Sequence, residues 1–378
     1  MTIQHNLSAP AAPIPRRTAI ARMAALSTMT VSSVSCVAQS PSSVLASSGV
    51  GVSIAGAEFG MEKPSFSNSN PGRINQDYVY PDRVTIRSLV DRGVTNFRIP
   101  ISWERLQPNL QNPPAEHELQ NLDEVLQMVA SEQARAIIDL HNYGRYRLET
   151  RKGPQTVIVD QSATDGQQVS RRALAEFWMQ LAQRYSSHPA VLGYGIMNEP
   201  HDLGQTNWQQ VSQEVVSHIR RVDRQKWLYV AGNDWSSSER FLMANGDRAW
   251  IDDPQQRTAY EAHCYFDRDG SGKYTSSYAA EARLDPNIEL RPIERLASFA
   301  NWCERNGVKG IIGEVGVPAN DPNWNQLLQS FFAEIHQRQI QGFVWAAGDW
   351  WGEYPLSVQP RRNASQDSLS LNLIKRFS

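Results

Sequence analysis

Eight short apolar runs alternate along the chain with longer amphipathic segments, and few folds accept that rhythm. The runs are residues 50–55, 96–99, 134–140, 191–197, 227–231, 259–264, 310–313 and 342–346, each of strand length. Between them, residues 119–133, 169–185, 207–221, 293–306 and 324–338 are expected to be helices. In 169–185, Leu174, Phe177, Trp178, Leu181 and Ala182 recur at i, i+3, i+4, i+7 and i+8, one stripe that faces inward. Repeated strand–helix units imply a parallel sheet covered by helices. An open, doubly wound sheet ordinarily carries a Gly-rich phosphate loop after its first strand, and Gly56-Ala57-Glu58-Phe59-Gly60 is not one. The expected fold is therefore α/β, a closed (β/α)8 (TIM) barrel in one domain over residues 50–378, with room to spare at 378 residues against about 250 for such barrels.

The first 38 residues differ from the rest. They hold Arg16, Arg17 and Arg22, no Asp, Glu or Lys, and a mildly apolar Ser/Thr/Ala-rich run. This is the composition of an export signal, cleaved near Ala38, and secretion to the periplasm or outside the cell is expected. Arg16-Arg17 before a weakly apolar stretch fits twin-arginine export, and an ordinary secretory signal fits equally. Cys36 sits in a poor context for lipidation. Residues 39–49 read as a short flexible segment. No later run approaches the roughly 20 apolar residues of a membrane span.

Formal charge is −2, and −5 once the three N-terminal arginines are removed, with Lys and Arg scattered rather than clustered. That excludes a phosphate-tracking surface, so nucleic acid is not an expected partner. A monomer is expected. Cys264 lies in a strand-like run and Cys303 in a helix-like one, so two buried free thiols are expected rather than a disulfide.

Polar, ionisable and aromatic residues gather at the ends of the strand runs: Arg98, His141-Asn142-Tyr143, Asn198-Glu199-Pro200, His263 with Tyr265, Glu314, and Trp345. Strand C-termini open onto one face of a barrel, and active sites form there. Taken singly, each has a structural explanation, such as a helix-capping carboxylate or a hydrogen-bonded histidine. Together they converge from six segments on one cleft. No His-x-x-x-His or Cys-x-x-Cys spacing supplies a metal site, no Gly-x-Ser-x-Gly elbow supplies a serine hydrolase, and no cofactor is implied.

The stretches 54–60 (IAGAEFG), 139–146 (DLHNYGRY) and 195–202 (GIMNEPHD) resemble glycoside hydrolase family 5, and within it the subfamily 5 endoglucanases. The resemblance runs from about residue 50 to the C-terminus. Its eight typical active-site residues correspond to Arg98, His141, Asn198, Glu199, His263, Tyr265, Glu314 and Trp345 without substitution. It implies a retaining endo-β-1,4-glucanase acting on a β-glucan polysaccharide or oligosaccharide, with Glu199 as acid/base and Glu314 as nucleophile. Such chemistry needs one carboxylic acid and one carboxylate, so the two must hold different protonation states. Arg98 and the Tyr265 hydroxyl are candidates for keeping Glu314 ionised, His263 for modulating Glu199, and Asn198 and His141 for binding the reacting sugar.

Trp345 is expected to floor the −1 sugar site, with Glu58, Asn142 and Tyr143 as further substrate contacts. Trp103, Trp235, Trp350 and Trp351 also follow strand ends and are weaker candidates for sugar platforms. Trp178, Trp227 and Trp302 look like core. Residues 146–160 form either a cleft wall or a solvated hairpin. A β-mannanase, or another β-glucanase with the same catalytic pair, is the competing enzyme reading. A non-catalytic carbohydrate-binding barrel is the reading from another class, and both carboxylates argue against it. No linker to a separate cellulose-binding module is visible, so weak adhesion to crystalline cellulose is expected.

Overall fold

The computed structural model describes residues 49–360 and 366–378. The expected export signal and all but the last residue of the segment after it lie outside the described residues. The eight apolar runs form eight strands: β1 (Gly51–Ile54), β2 (Asn96–Ile101), β3 (Arg135–Leu140), β4 (Val191–Gly195), β5 (Trp227–Ala231), β6 (Thr258–His263), β7 (Lys309–Val315) and β8 (Gln341–Ala347). All pair in parallel with their sequence neighbours, and β1 closes on β8 with Gly51 opposite Phe343. Eight helices follow the strands in turn: α1 (Arg83–Val90), α2 (Glu116–Ser131), α3 (Arg171–Tyr185), α4 (Trp208–Ile219), α5 (Phe241–Asn245), α6 (Arg291–Asn306), α7 (Pro322–Gln337) and α8 (Leu369–Phe377). The fold is the single-domain (β/α)8 barrel.

Local chemistry sets the helix ends. Ser170 caps α3 through the Ala173 amide, and Asp321 caps α7 through the Asn323 and Trp324 amides with Pro322 next to it. Gly307 ends α6 with φ +63°, a conformation that costs other residues free energy.

Two apolar cores result. The larger lies between barrel and helices and includes Trp178 and Trp302. The smaller fills the barrel: Ile137, Leu192, Trp227, Tyr229, Ala259, Ile311 and Phe343. Strand side chains alternate, so the residue two positions further on points the same way, one layer nearer the strand C-termini. Two residues beyond Ile137, Ala259, Ile311 and Phe343 stand Asp139, Glu261, Gly313 and Trp345. The layer above the apolar plug thus holds the buried carboxylates Asp139 and Glu261, and Arg98 joins them from β2 at 0% exposure.

Residues 145–158 form an antiparallel hairpin, Arg145–Thr150 against Gly153–Ile158, after β3. Tyr146 is buried beneath it and donates to the Gln107 carbonyl at 2.6 Å, so it is anchored rather than merely solvated. Cys264 and Cys303 are buried free thiols, and burial pushes both up to about 12. Among the described residues, no helix is long and apolar enough to cross a membrane.

Candidate active site

Glu314 is placed by β7 and Tyr265 by the chain just beyond β6. Arg98 Nη1 donates to Glu314 Oε1 at 3.1 Å, and the Tyr265 hydroxyl donates to Oε2 at 2.8 Å. Arg98 Nη2 donates to Asn198 Oδ1 at 2.6 Å and lies 3.0 Å from Asp139 Oδ1. Burial works against the Arg98 charge, but Asp139, Glu261 and Glu314 outweigh it and hold the proton firmly. A cation this deep is tolerated because it is surrounded by carboxylates.

Glu199 follows β4 in a left-handed conformation, φ +43°. A non-glycine residue pays about 1–3 kcal/mol for this. Two flanking bonds hold it there: the Asn198 amide donates to the Leu140 carbonyl at 2.7 Å, and His201 Nδ1 lies 2.9 Å from the Glu199 carbonyl oxygen. The result aims the carboxyl at His263, whose Nδ1 is 2.6 Å from Glu199 Oε1 and 3.6 Å from Glu314 Oε2. One atom from each of Glu199, His263 and Glu314 falls within 4.8 Å of the others. His141 Nδ1 lies 3.0 Å from Asp139 Oδ2, its Nε2 faces the Asn198 amide at 3.2 Å, and its ring stacks on Trp345 at 5.2 Å and 16°. Burial alone would lower the His141 pKa; the Asp139 hydrogen bond and charge raise it.

Two cavities, the lobes of a cleft, meet where Tyr143 of one packs on Trp235 of the other, and Glu199 with the Glu314 partner Tyr265 borders the smaller. A cavity of about 300 Å³ on one side is lined by Glu199, Trp235, His263, Tyr265 and Lys273. One of about 730 Å³ on the other is lined by Glu58, Phe59, His141, Asn142, Tyr143, Trp345, Trp350 and Trp351. Trp235 is 43% exposed and stacked on His201 at 3.3 Å and 9°; Trp350 is 41% exposed. Trp351 is half-buried against Tyr354 and Phe59. Tyr143 packs edge-on to His141 and Trp235. Glu58 is buried in the wall of the larger lobe; its Oε2 accepts from the Gly56 amide at 2.8 Å, its Oε1 has no partner, and burial raises its pKa.

Of the expected substrate contacts, Trp103 sits elsewhere in the scaffold. Trp103 is fully buried, edge-on to Tyr146 at 5.0 Å, with its indole N–H donating to Gln107, so it is no platform. It opens a one-turn helix, Trp103–Leu106, which swings the ring away from the cleft. Asn142 borders the cleft but uses its amide internally, donating to Glu104 and accepting from the Trp103 amide at 2.8 Å each. The sequence reading missed Asp139 and Glu261. Their signal was the carboxylate two residues before a strand-end histidine, Asp139-Leu140-His141 and Glu261-Ala262-His263, which period-two geometry puts on one face.

Residues 52–350 match the family described as Cellulase (glycosyl hydrolase family 5). Endo-beta-1,4-glucanase A of Emericella nidulans is 30% identical over 315 residues, covering 82% of this chain and 86% of that one. The structure of Pseudomonas stutzeri endoglucanase Cel5A in complex with cellobiose is similar at a TM-score of 0.75 and 33% identity, covering 87% of this chain and 92% of its own. XacCel5A in complex with cellopentaose gives a TM-score of 0.73 at 27% identity over 88% and 99%. With a matched region spanning most of the chain and the barrel that frames it, the chain belongs to glycosyl hydrolase family 5.

Proposed function

We propose that this chain is an endo-β-1,4-glucanase that cleaves internal bonds of β-glucan with retention, Glu199 acting as acid/base and Glu314 as nucleophile. The observation that carries the reading is the close approach of the two carboxyls, within 4.8 Å at one oxygen each, with Glu199 and the Glu314 partner Tyr265 on the wall of the smaller lobe. Retaining enzymes keep their carboxyls about 5–5.5 Å apart, whereas inverting ones leave about 6.5–9.5 Å for a water. In the first step Glu314 bonds to the anomeric carbon, the glycosidic C–O bond breaks, and Glu199 gives its proton to the departing oxygen. In the second, water attacks that carbon, the ester bond to Glu314 breaks, and Glu199 takes the water's proton.

A leaving group must lie beside the acid. The smaller lobe, with Glu199 and Trp235, is therefore read as the aglycone side, and the larger, with Trp345 and Trp350, as the glycone side. The relatives named above, an endo-beta-1,4-glucanase and endoglucanase complexes with cellobiose and cellopentaose, support a glucan substrate. Initial rates of reducing-sugar release on carboxymethyl-cellulose, barley glucan and galactomannan test it. Glucans should be cleaved fastest; galactomannan cleaved as fast or faster would overturn the assignment. Export through the first 38 residues belongs to the same proposal, and N-terminal sequencing of secreted protein checks it.

A further inference from the structure

Glu261 sits two residues before His263 on β6, so both side chains enter the barrel, the glutamate one layer deeper. It is buried, and neither step above uses it. Its Oε1 accepts from Arg98 Nη2 at 3.1 Å and lies 3.2 Å from His263 Nε2. The other ring nitrogen faces Glu199 and, more distantly, Glu314. An ionised carboxylate only accepts, so an imidazole with a carboxylate at each nitrogen satisfies both by carrying two N–H groups. Burial would strip that charge; the Glu314 charge, the Glu199 hydrogen bond and then Glu261 outweigh it and push His263 up to about 10. The other titratable groups of the cluster are Arg98 and Tyr265, both bonded to Glu314; Asp139, 3.0 Å from Arg98; and the buried Tyr229, which feels the charge of Glu261.

Two of the three carboxylates change state during the reaction. Glu314 loses its charge on becoming a glycosyl ester, and Glu199 gives up a proton and regains it. Glu261 alone stays constant: burial disfavours its charge, but Arg98 and His263 more than offset this and hold it below the usual carboxylate range. We propose that Glu261 is a positioning residue for the second step, keeping the shared proton on His263 so that Glu199 remains a carboxylate able to accept a proton from water. The inference rests on the retaining reading. Without the charge of Glu261, the proton on His263 Nδ1 moves across the 2.6 Å to Glu199, which becomes a carboxylic acid and can no longer serve as base.

Glu261→Gln keeps an acceptor for Nε2–H and removes only the charge. On dinitrophenyl β-cellobioside, whose leaving group makes the first step fast, this variant should show a burst of dinitrophenol. Steady turnover should then fall about 10- to 100-fold, part of what a general base supplies. Azide needs no base, so it should restore turnover and give β-cellobiosyl azide, while kcat/KM stays within about twofold of wild type. A merely structural role would depress both steps without azide rescue. Loss confined to the first step would instead mark a disturbed Arg98–Glu314 bond; either result overturns the inference. Glu199→Ala is the control. If azide rescues it but not Glu261→Gln, the inference fails and the retaining reading stands; if it rescues neither, both fail. Should Glu261→Gln not fold, wild-type enzyme trapped with a fluoro-cellobioside serves: nitrogen NMR should find His263 doubly protonated in the glycosyl-enzyme at neutral pH, and a neutral ring overturns the proposal.

Discussion

Glu199 and Glu314 share a face of the barrel, and on the proposed mechanism their losses should differ in kind. Glu314→Gln removes the attacking atom, so turnover should drop by a factor on the order of 10⁴ or more for every substrate, leaving group notwithstanding. Glu199→Ala should spare the first step for aryl glycosides with acidic leaving groups and yield a β-glycosyl azide with azide; an α-azide would reverse the roles. The tryptophans divide as sharply. Trp103 is enclosed by Tyr146 and Phe177, and Trp103→Ala should lower stability by about 3–5 kcal/mol, read from urea unfolding. Trp235 is exposed at the smaller lobe; its loss should leave the unfolding midpoint near wild type and raise KM for longer oligosaccharides about fivefold, about 1 kcal/mol of stacking. If Trp235→Ala left KM unchanged for all chain lengths, the aglycone platform would be misplaced.

Elements were legible in proportion to their length and period. All five expected helices exist within a few residues of the expected bounds, because 12 to 16 residues leave a complete apolar stripe. Helix α1, with 8 residues, and α5, with 5, offer too few turns for a stripe to stand out. The strand-end residues were legible because a strand's C-terminus has one outlet; where a short helix follows at once, as at Trp103, the outlet is turned aside. What sequence does not display is contact between strands. Gly313 on β7 faces Glu261 on β6, and a Cβ there would stand 1.9 Å from Glu261 Oε1. Gly195 makes the matching space for Asp139, with 3.0 Å from its added Cβ to Oδ1. Gly313→Ala should therefore cost about 1–3 kcal/mol by overpacking and, by displacing Glu261, lower activity, whereas a purely volumetric effect would leave activity per folded molecule intact.

At the scale of the whole molecule, a barrel that keeps its reactive charges in a dry layer ties its stability to pH through them. His263 has a folded pKa of about 10 against an ordinary 6.5. A base raised in this way contributes stability that is fully present below the unfolded value and disappears as pH climbs through the folded one. His141, raised by Asp139, acts in the same direction. Glu261 is shifted the other way, below its ordinary 4.5, so its contribution is present above that value and lost as pH falls through its folded pKa. The two trends leave a plateau between roughly pH 4.5 and 6.5, with a long decline on the alkaline side. Thermal unfolding of the substrate-free enzyme across this range should give its highest midpoint on the plateau and a fall of several degrees towards pH 10. His263, raised to about 10, carries the upper part of that slope, so His263→Gln should lower the midpoint on the plateau and flatten the decline above pH 6.5. Equal slopes in variant and wild type would mean that the alkaline loss arises elsewhere in the barrel and that His263 does not hold its second proton there.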